Sequence, residues 1–307
     1  MSEIHSLPVI DVSPALGDSN PQERAAVARA LHEVLHETGF MYVTGHGLDA
    51  DLLADAFRSA SRFFARPLEE KRALAYTSSA ANFGFQGLEG ERLDPANAPD
   101  LKESFTMRNA LAARPDDARW PDEDFRANAM TLFAAGLSTA HALLALLAES
   151  LRLPSDYFTP RHRGENVTLR FLHYPANLPS SSSTQLGAGE HTDYGSITLL
   201  FQQDVGGLEV RDRAGHWHLA PPLPDAIVIN TGDLMERWTN GQFRSTVHRV
   251  RPIVGDRDRY SIALFVDPDS AVEVACIPSC LEPGAAARYP VITAGEHLKQ
   301  KIEATHR

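Results

Sequence analysis

Residues 189–200 read GEHTDYGSITLL, and within them His191 and Asp193 stand two positions apart. Successive side chains of a strand point to opposite faces of the sheet, so residues two apart share a face. Of the 13 histidines in the chain, only His191 has a carboxylate two positions later. We therefore predict that His191 and Asp193 lie on a strand and reach one metal ion, while Thr192 faces away.

A third ligand is predicted at His248, which follows Asp193 by 55 residues within the stretch STVHRV at 245–250. Its β-branched neighbours indicate a strand that returns beside the first pair. Two imidazoles and one carboxylate occupy one face of an iron ion and leave the other coordination positions open for a chelating cosubstrate and for O2. The pattern predicts redox catalysis at a centre formed by His191, Asp193 and His248.

The sequence resembles the iron(II)- and 2-oxoglutarate-dependent oxygenases, in the branch that includes isopenicillin N synthase and the plant flavonoid and gibberellin oxygenases. The likeness covers most of the chain. It is carried by LPVID at 7–11, TGFMYVTGHG at 38–47, GEHTDYGSITLL at 189–200, VINTGD at 228–233 and YPVITAGE at 289–296.

The resemblance implies an enzyme that uses Fe(II), 2-oxoglutarate and O2. Such an enzyme oxidises an aliphatic carbon, usually by hydroxylation, and releases succinate and CO2. The fold that it implies is mainly β with flanking helices, around a double-stranded β-helix, which is a distorted jelly roll. Composition and periodicity by themselves predict only a sandwich or a barrel.

Together with hydrophobic periodicity, the resemblance implies a mixed α/β N-terminal region of the family over residues 1–120, then a helix and a catalytic β region over 121–307 that ends in the family's closing helix. The catalytic core spans about 165–270, a C-terminal helix covers 294–306, and the whole forms one compact unit. Residues 77–100 are rich in Ser, Asn, Gly and Pro, and we predict a long irregular loop there. Helices are predicted at 21–37, 51–65 and 126–151, and strands at 40–44, 167–174, 196–202, 207–211, 226–230, 246–251 and 260–266.

A dicarboxylate cosubstrate that chelates iron through its 2-oxo acid end needs a cation and a hydroxyl for its other carboxylate. Arg259 offers a planar bidentate donor, and Ser261 points the same way along a strand. Arg244 and Thr246 have the same spacing, but Arg259 opens a strand eleven residues after His248, which resembles the order in the family. Tyr174 resembles the family tyrosine that donates to the same carboxylate.

The chain departs from the plant members at Leu172. Many of them carry an asparagine at the matching position, which helps to hold the iron-proximal end of 2-oxoglutarate. Leucine has no hydrogen-bond donor in its side chain. We therefore expect this end of the cosubstrate to be held differently here.

The predicted substrate is an apolar or amphipathic small molecule. The expected wall residues are the aromatic side chains of the loop and strands around the metal, namely Phe85, Phe105, Tyr194 and Phe265. Two alternatives remain open at this stage. One is an iron oxidase of the same fold that dispenses with 2-oxoglutarate, as isopenicillin N synthase does. The other is a non-catalytic protein that binds a small ligand.

The composition is that of a folded enzyme with an acidic surface. The formal net charge is −11 over 307 residues, which opposes non-specific binding to nucleic acid or to anionic membranes. No apolar run of 18 residues and no signal peptide is expected, so we predict a cytoplasmic protein whose partner is a small molecule. Cys276 and Cys280 are predicted to be free thiols. The sequence does not predict an oligomeric state.

Overall fold

A computed structural model describes residues 7–17, 19–76, 82–94, 96–108, 120–178 and 185–305. The helices are α1 Pro21–Glu37, α2 Ala50–Phe64, α3 Leu68–Arg72, α4 Glu123–Ser150, α5 Asp233–Trp238 and α6 Ala294–Thr305. The strands are β1 Val9–Asp11, β2 Phe40–Thr44, β3 Phe83–Gln86, β4 Glu103–Arg108, β5 Thr168–Tyr174, β6 Ala188–His191, β7 Ile197–Gln202, β8 Leu208–Arg211, β9 Trp217–Leu219, β10 Ile227–Thr231, β11 His248–Val250, β12 Arg259–Val266, β13 Glu273–Val274 and β14 Ile292–Thr293.

Two sheets form the centre of the molecule. The major sheet has eight strands in the order β1-β2-β10-β7-β12-β5-β4-β3, and the minor sheet has four in the order β6-β11-β8-β9. Strands β13 and β14 pair separately. The predicted mainly β architecture with flanking helices is confirmed.

Alternation along each major-sheet strand divides the core into two layers. On β5, Leu169 and Phe171 join a large cluster with the helices, whereas Leu172 and Tyr174 join a smaller cluster with residues of the minor sheet. On a strand, neighbouring residues face opposite sides of the sheet. One face of the major sheet therefore packs on the helices, and the other faces the minor sheet and forms the interior of the jelly roll.

Local signals fix the ends of α1. Asn20 caps its start by accepting a hydrogen bond from the backbone N–H of Gln22 at 2.8 Å, and Pro21 is the first helical residue. Gly39 follows the helix with φ of +68°, and a Cβ there would lie 2.5 Å from the carbonyl oxygen of Arg244. Glycine is therefore required for the turn from α1 into β2.

Helix α4 is the central helix of the helical layer. By length and composition it could cross a membrane, but half of its most apolar window is buried within the protein. It packs on α1, on α2 and on the strands β7 and β12. Its apolar character is accounted for by these contacts, because a helix that is packed on several sides is apolar around much of its circumference.

The predicted loop at 77–100 is wrong in part. Residues 83–86 form β3, which pairs antiparallel with β4 and so extends the edge of the major sheet. Residues 77–81 and 95 lie outside the described residues, as does the serine run at 180–183. The sequence patterns also do not predict α3, β1, β4 or β9, most of which are short elements.

Candidate active site

The two histidines of the predicted triad face each other across two paired strands. His191 is the last residue of β6, and His248 is the first residue of β11 and its direct antiparallel partner. Their ring centroids lie 4.2 Å apart. The predicted return strand is therefore present, and it places His248 beside His191.

Asp193 completes the cluster from a bend rather than from the strand that we predicted. Strand β6 ends at His191, and the chain turns before Asp193. The Asp193 Oδ1 atom still lies 3.6 Å from His248 Nε2, and one ligand atom from each of the three residues lies within 4.8 Å of the others. Hydrogen bonds, and not strand alternation, determine where this carboxylate points.

Backbone carbonyls fix the orientation of both imidazoles. His191 Nδ1 lies 2.7 Å from the Gly189 carbonyl oxygen, and His248 Nδ1 lies 3.1 Å from that of Thr246. A carbonyl oxygen only accepts, so Nδ1 carries the hydrogen in each ring. The lone pair of each Nε2 is thus free to bind a metal ion, the arrangement that supports histidine ligands in metal sites.

The second oxygen of Asp193 is held by two donors. The Thr198 hydroxyl donates to Asp193 Oδ2 at 2.5 Å, and the Asn230 side-chain amide donates to the same oxygen at 2.6 Å. Burial raises the pKa of Asp193, but the two histidines and these hydrogen bonds bring it below its usual value. Burial and the neighbouring His248 lower the pKa of His191. The favoured forms are an ionised carboxylate and a neutral imidazole, which are the forms that bind a metal ion.

Hydrogen bonds involving Asp233 of α5 support the bend that carries Asp193, and the backbone of the bend packs closely against the Asp267 side chain. The backbone N–H of Asp233 donates to the carbonyl oxygen of Asp193 at 2.8 Å, and the Ser245 hydroxyl donates to Asp233 Oδ1 at 2.6 Å. A Cβ at Gly195 would lie 1.3 Å from Oδ1 of Asp267. A larger residue at this position of the bend would displace the Asp267 carboxylate.

The three side chains fit an iron(II) ion by their donor chemistry. They offer two imidazole nitrogens and one carboxylate oxygen from adjoining positions, and their remaining polar atoms are already bonded within the protein. This is the donor set of the facial triad, which leaves coordination positions for other ligands. His216 and His218, which also stand two positions apart, instead contact Asp212 in the hairpin of β8 and β9.

The predicted anion anchor lies on adjacent strands of the major sheet. Arg259 on β12 is the direct partner of Tyr174 on β5, and its guanidinium lies 4.8 Å from the centroid of the tyrosine ring. Arg259 is 1% exposed and donates to the Ser261 hydroxyl at 3.1 Å and to the Gln202 side-chain oxygen at 3.0 Å. Gln202 was not predicted, although it is the direct partner of Ser261 on β7.

Arg259 has no acidic partner among the residues that the structure describes, and its Nε makes no hydrogen bond to any of them. Burial lowers the pKa of Arg259, although arginine stays charged near neutral pH. A buried cation without a counter-ion is costly. The arrangement therefore fits an anionic group that binds in the neighbouring cavity.

One cavity joins the triad to the anchor, and it encloses about 1230 Å³ of empty space that is partly open to solvent. Tyr194 and Phe265 line it, as predicted. Leu172 also lines the cavity and offers no donor there, as the sequence indicates. Leu298 and Ile302 reach it from α6, so the C-terminal helix covers part of its mouth.

Phe85 and Phe105 do not line this cavity, and their prediction as wall residues is wrong. They are direct partners on β3 and β4, and both side chains face the helices. Their rings lie 5.9 and 5.3 Å from the ring of Phe63 on α2, within an aromatic cluster of the core. The opposite positions of the same strands face the cavity, and the sequence analysis missed them. These are Gln86, Thr106 and Arg108, together with Arg170 on β5 and the nearby Glu91 and Lys102.

Comparisons with known proteins agree with this site. The model of the 2OG-Fe(II) oxygenase superfamily matches residues 153–268, and that of the non-haem dioxygenase in morphine synthesis N-terminal region matches residues 7–125. A 2-oxoglutarate-Fe(II) type oxidoreductase of Emericella nidulans is 34% identical over 95% of this chain and 88% of its own length. A homoarginine-6-hydroxylase of Oryza sativa is 31% identical over 98% of this chain and 98% of its own length.

Solved structures give the same result. A full-length Neurospora crassa protein, crystallised in complex with alpha-KG and thymine, superposes with a TM-score of 0.87 and 31% identity over 99% of this chain and 98% of its own. The predicted jelly-roll fold is confirmed. Because relatives that match along nearly the whole chain are named as 2-oxoglutarate-dependent enzymes, the main prediction is favoured over the oxidase and the binding protein. The chain belongs to the 2OG-Fe(II) oxygenase superfamily and is an iron(II)- and 2-oxoglutarate-dependent oxygenase.

Proposed function

We propose that His191, Asp193 and His248 hold Fe(II), and that Arg259, Ser261 and Tyr174 bind the distal carboxylate of 2-oxoglutarate. The enzyme hydroxylates an aliphatic carbon of a small organic molecule and releases succinate and CO2. One observation carries the proposal. The free ligand atoms of the triad and a buried guanidinium without an acidic partner among the described residues face the same cavity.

Iron(II) bound at the triad supplies the activation of O2 by which 2-oxoglutarate becomes succinate and a substrate carbon is oxidised. The protein contributes position and exclusion of water. The carbonyls of Gly189 and Thr246 hold the two imidazoles, and Arg259 fixes the direction of the cosubstrate. Leu298 and Ile302 of α6 cover the cavity with apolar groups. Groups held in this way need little rearrangement before the reaction.

The relatives support a small-molecule substrate. Those matched along most of the chain include proteins named for hydroxylation of homoarginine and of proline, and a solved relative contains thymine. The acidic net charge of −11 supports the absence of a nucleic-acid or membrane partner. We also propose that the enzyme acts in the cytoplasm, which agrees with Cys276 and Cys280 being free thiols.

The test is an anaerobic titration of the Fe(II)-loaded protein with 2-oxoglutarate, followed in the visible spectrum. We expect the weak charge-transfer band of an iron-chelated 2-oxo acid in the parent protein and in the control His216→Ala. We expect no band in His248→Ala. Iron binding without a band in the parent protein would instead favour the oxidase, and succinate formed in proportion to O2 consumed would exclude that alternative.

A further inference from the structure

A wall of buried polar side chains faces the triad across the cavity, on β3, β4 and β5. Its centre is Arg170, whose guanidinium binds both carboxylate oxygens of Glu91 at 3.2 and 2.9 Å. Arg170 also donates to Ser104 at 2.9 Å and to Gln86 at 3.2 Å. None of these side chains takes part in the metal triad or the anion anchor, so the wall is left for the substrate.

Two polar atoms of this wall are buried without a partner. Thr106 on β4 is the direct neighbour of Arg170 on β5, and both line the cavity. The Thr106 hydroxyl and the Arg170 Nε make no hydrogen bond to any residue that the structure describes. A buried donor or acceptor that stays unsatisfied destabilises the fold. Two adjacent unsatisfied groups on a cavity wall indicate a ligand that forms hydrogen bonds with both. The buried guanidinium of Arg259 indicates an anionic ligand at the anchor in the same way.

The sheet register connects this pair to the metal end of the cavity. Arg170 pairs directly with Thr106 on one side and with Ala263 of β12 on the other. Two residues after Ala263 on β12, Phe265 also faces the cavity. Its direct partner on β7 is Thr198, whose hydroxyl donates to Asp193. Neighbouring strands lie about 4.8 Å apart. By this spacing β4 lies about 14 Å and β12 about 5 Å from β7, so a small molecule that extends from Thr106 and Arg170 to Phe265 reaches the part of the cavity where Thr198 holds Asp193.

The charges of the wall are already balanced. Burial raises the pKa of Glu91, but Arg170 and Lys102 hold it well below its usual value, so this carboxylate is ionised. Lys102 also pairs with Asp100, whose other oxygen accepts from the backbone N–H of Gly189 at 2.9 Å. Arg170 and Lys102 thus face Glu91 and Asp100. Burial raises the pKa of the Asp267 carboxyl, which also lines the cavity, and the third cation, Arg108, acts on it to lower that pKa. A carboxylate on the substrate would add an uncompensated buried charge, whereas a neutral acceptor would not.

We propose that Arg170 and Thr106 form a substrate subsite for an uncharged carbonyl group of the amide or oxo-heterocycle type. Arg170 Nε donates to the carbonyl oxygen, and the Thr106 hydroxyl accepts from the adjoining N–H. The rest of the substrate packs against Phe265 and Tyr194. This inference rests on the proposed function, and it narrows the apolar or amphipathic substrate expected from the sequence to a compact molecule that carries an uncharged polar group.

The test measures binding of defined probes to the protein loaded with Zn(II) and 2-oxoglutarate, by saturation-transfer NMR. The probes are 2-piperidone as a neutral lactam, cyclohexanecarboxylate as an anion of similar size, and methylcyclohexane. We expect the lactam to bind most tightly. Arg170→Lys keeps the charge beside Glu91 but removes Nε, and we expect it to weaken lactam binding about tenfold.

Thr106→Val separates a binding role from a structural one. The change is nearly isosteric and removes a hydroxyl that has no partner among the described residues, so we expect the melting temperature to stay or rise. We expect lactam binding to weaken severalfold. The control Thr131→Val removes a hydroxyl that donates to the Ala127 carbonyl oxygen on α4; Thr131 is exposed and lies outside the cavity lining, so the change should leave lactam affinity unchanged.

Three results would overturn the subsite. They are failure of the lactam to bind the parent protein, preference for the carboxylate, and equal lactam affinity in the parent and both wall variants. Binding of 2-oxoglutarate is measured in the same samples. If 2-oxoglutarate binds normally and one of these three results is found, only the subsite proposal is overturned. If 2-oxoglutarate binds to no sample, the proposed function fails and the subsite with it.

Discussion

At the residue scale, the site depends on which atom of each side chain is already in use. The triad keeps one atom of each ligand free because backbone carbonyls, Thr198 and Asn230 occupy the others. Arg259 shows the reverse situation, because its hydrogen bonds are to neutral groups and leave its charge unmatched. A sequence pattern names the residue types, but these individual hydrogen bonds decide what each residue can bind.

Removal of the Arg259 guanidinium tests the anchor. We expect Arg259→Ala to weaken binding of 2-oxoglutarate to the metal-loaded protein at least about 100-fold, since a buried charge-assisted pair is lost. Isothermal titration calorimetry measures this directly. Arg244→Ala is the matched control, because Arg244 donates to the Glu37 carbonyl oxygen and lies outside the cavity lining. Equal affinity in the two variants would remove Arg259 from the cosubstrate site.

His162 predicts a pH dependence of stability. It is fully buried between the Phe158 carbonyl oxygen and the Ser196 hydroxyl, and burial lowers its pKa from 6.5 to about 4. Between these pH values the unfolded chain takes up a proton that the folded protein does not. The contribution of neutral His162 to the free energy of unfolding is therefore fully present above pH 6.5 and is lost as the pH falls toward 4. The loss is about 2 kcal/mol between pH 7 and pH 5.

Urea unfolding of the metal-free protein at pH 7 and pH 5 measures that loss. We expect His162→Gln to be less stable at pH 7 but to lose about 2 kcal/mol less than the parent protein on acidification. His216→Gln is the control, because the His216 side chain is 75% exposed. If His162→Gln and the parent protein lose the same stability, His162 is not the group responsible.

At the element scale, the predictable parts are those with strong local signals. Helix α1 and strand β2 occur at the predicted residues, and the six predicted core strands are present with shifts of up to two residues. Strands β3 and β4 were missed because they are short and lie within or beside residues 77–100, whose content of Ser, Asn, Gly and Pro predicts a loop. The same cause hid the polar wall. The role of these wall residues becomes visible only from the sheet register, which places them beside Arg170.

Helix α6 connects the cavity mouth to the triad through the ion pair of Lys301 with Asp233. Lys301 lies 2.6 Å from Asp233 Oδ2, and the backbone N–H of Asp233 donates to the carbonyl of Asp193. The pair is partly exposed and is worth about 1 kcal/mol at most. We expect Lys301→Met to speed hydrogen exchange of residues 294–305 up to about fivefold, because closure of the helix is weakened.

Hydrogen exchange followed by mass spectrometry checks this change. The control Lys299→Met removes an exposed lysine 4.0 Å from Glu303 on the same helix and should leave the exchange nearly as in the parent protein. Iron affinity should be the same in all three proteins, because no ligand is altered. Equal exchange in the two variants would mean that the Lys301 contact with Asp233 does not hold the helix down.

At the scale of the whole molecule, the N-terminal region and the catalytic region share one sheet. Strands β1 to β4 come from the first 120 residues and flank β10, β7, β12 and β5 on both sides. Phe40 of β2 also contacts the ring of His248, with 5.0 Å between centroids. A sheet that is paired in this way cannot lose either region without exposing strand edges and the core beneath them.

We therefore predict a single cooperative unfolding transition, detected at the same temperature by calorimetry, circular dichroism and tryptophan fluorescence. Val43→Ala truncates a fully buried side chain of β2 at a cost of about 2 kcal/mol, so the one transition should move down by several degrees without splitting. Val9→Ala is the control on the neighbouring strand, because Val9 is 53% exposed. Two separate transitions in the parent protein, with only the first displaced by Val43→Ala, would mean that the N-terminal region folds independently of the catalytic core.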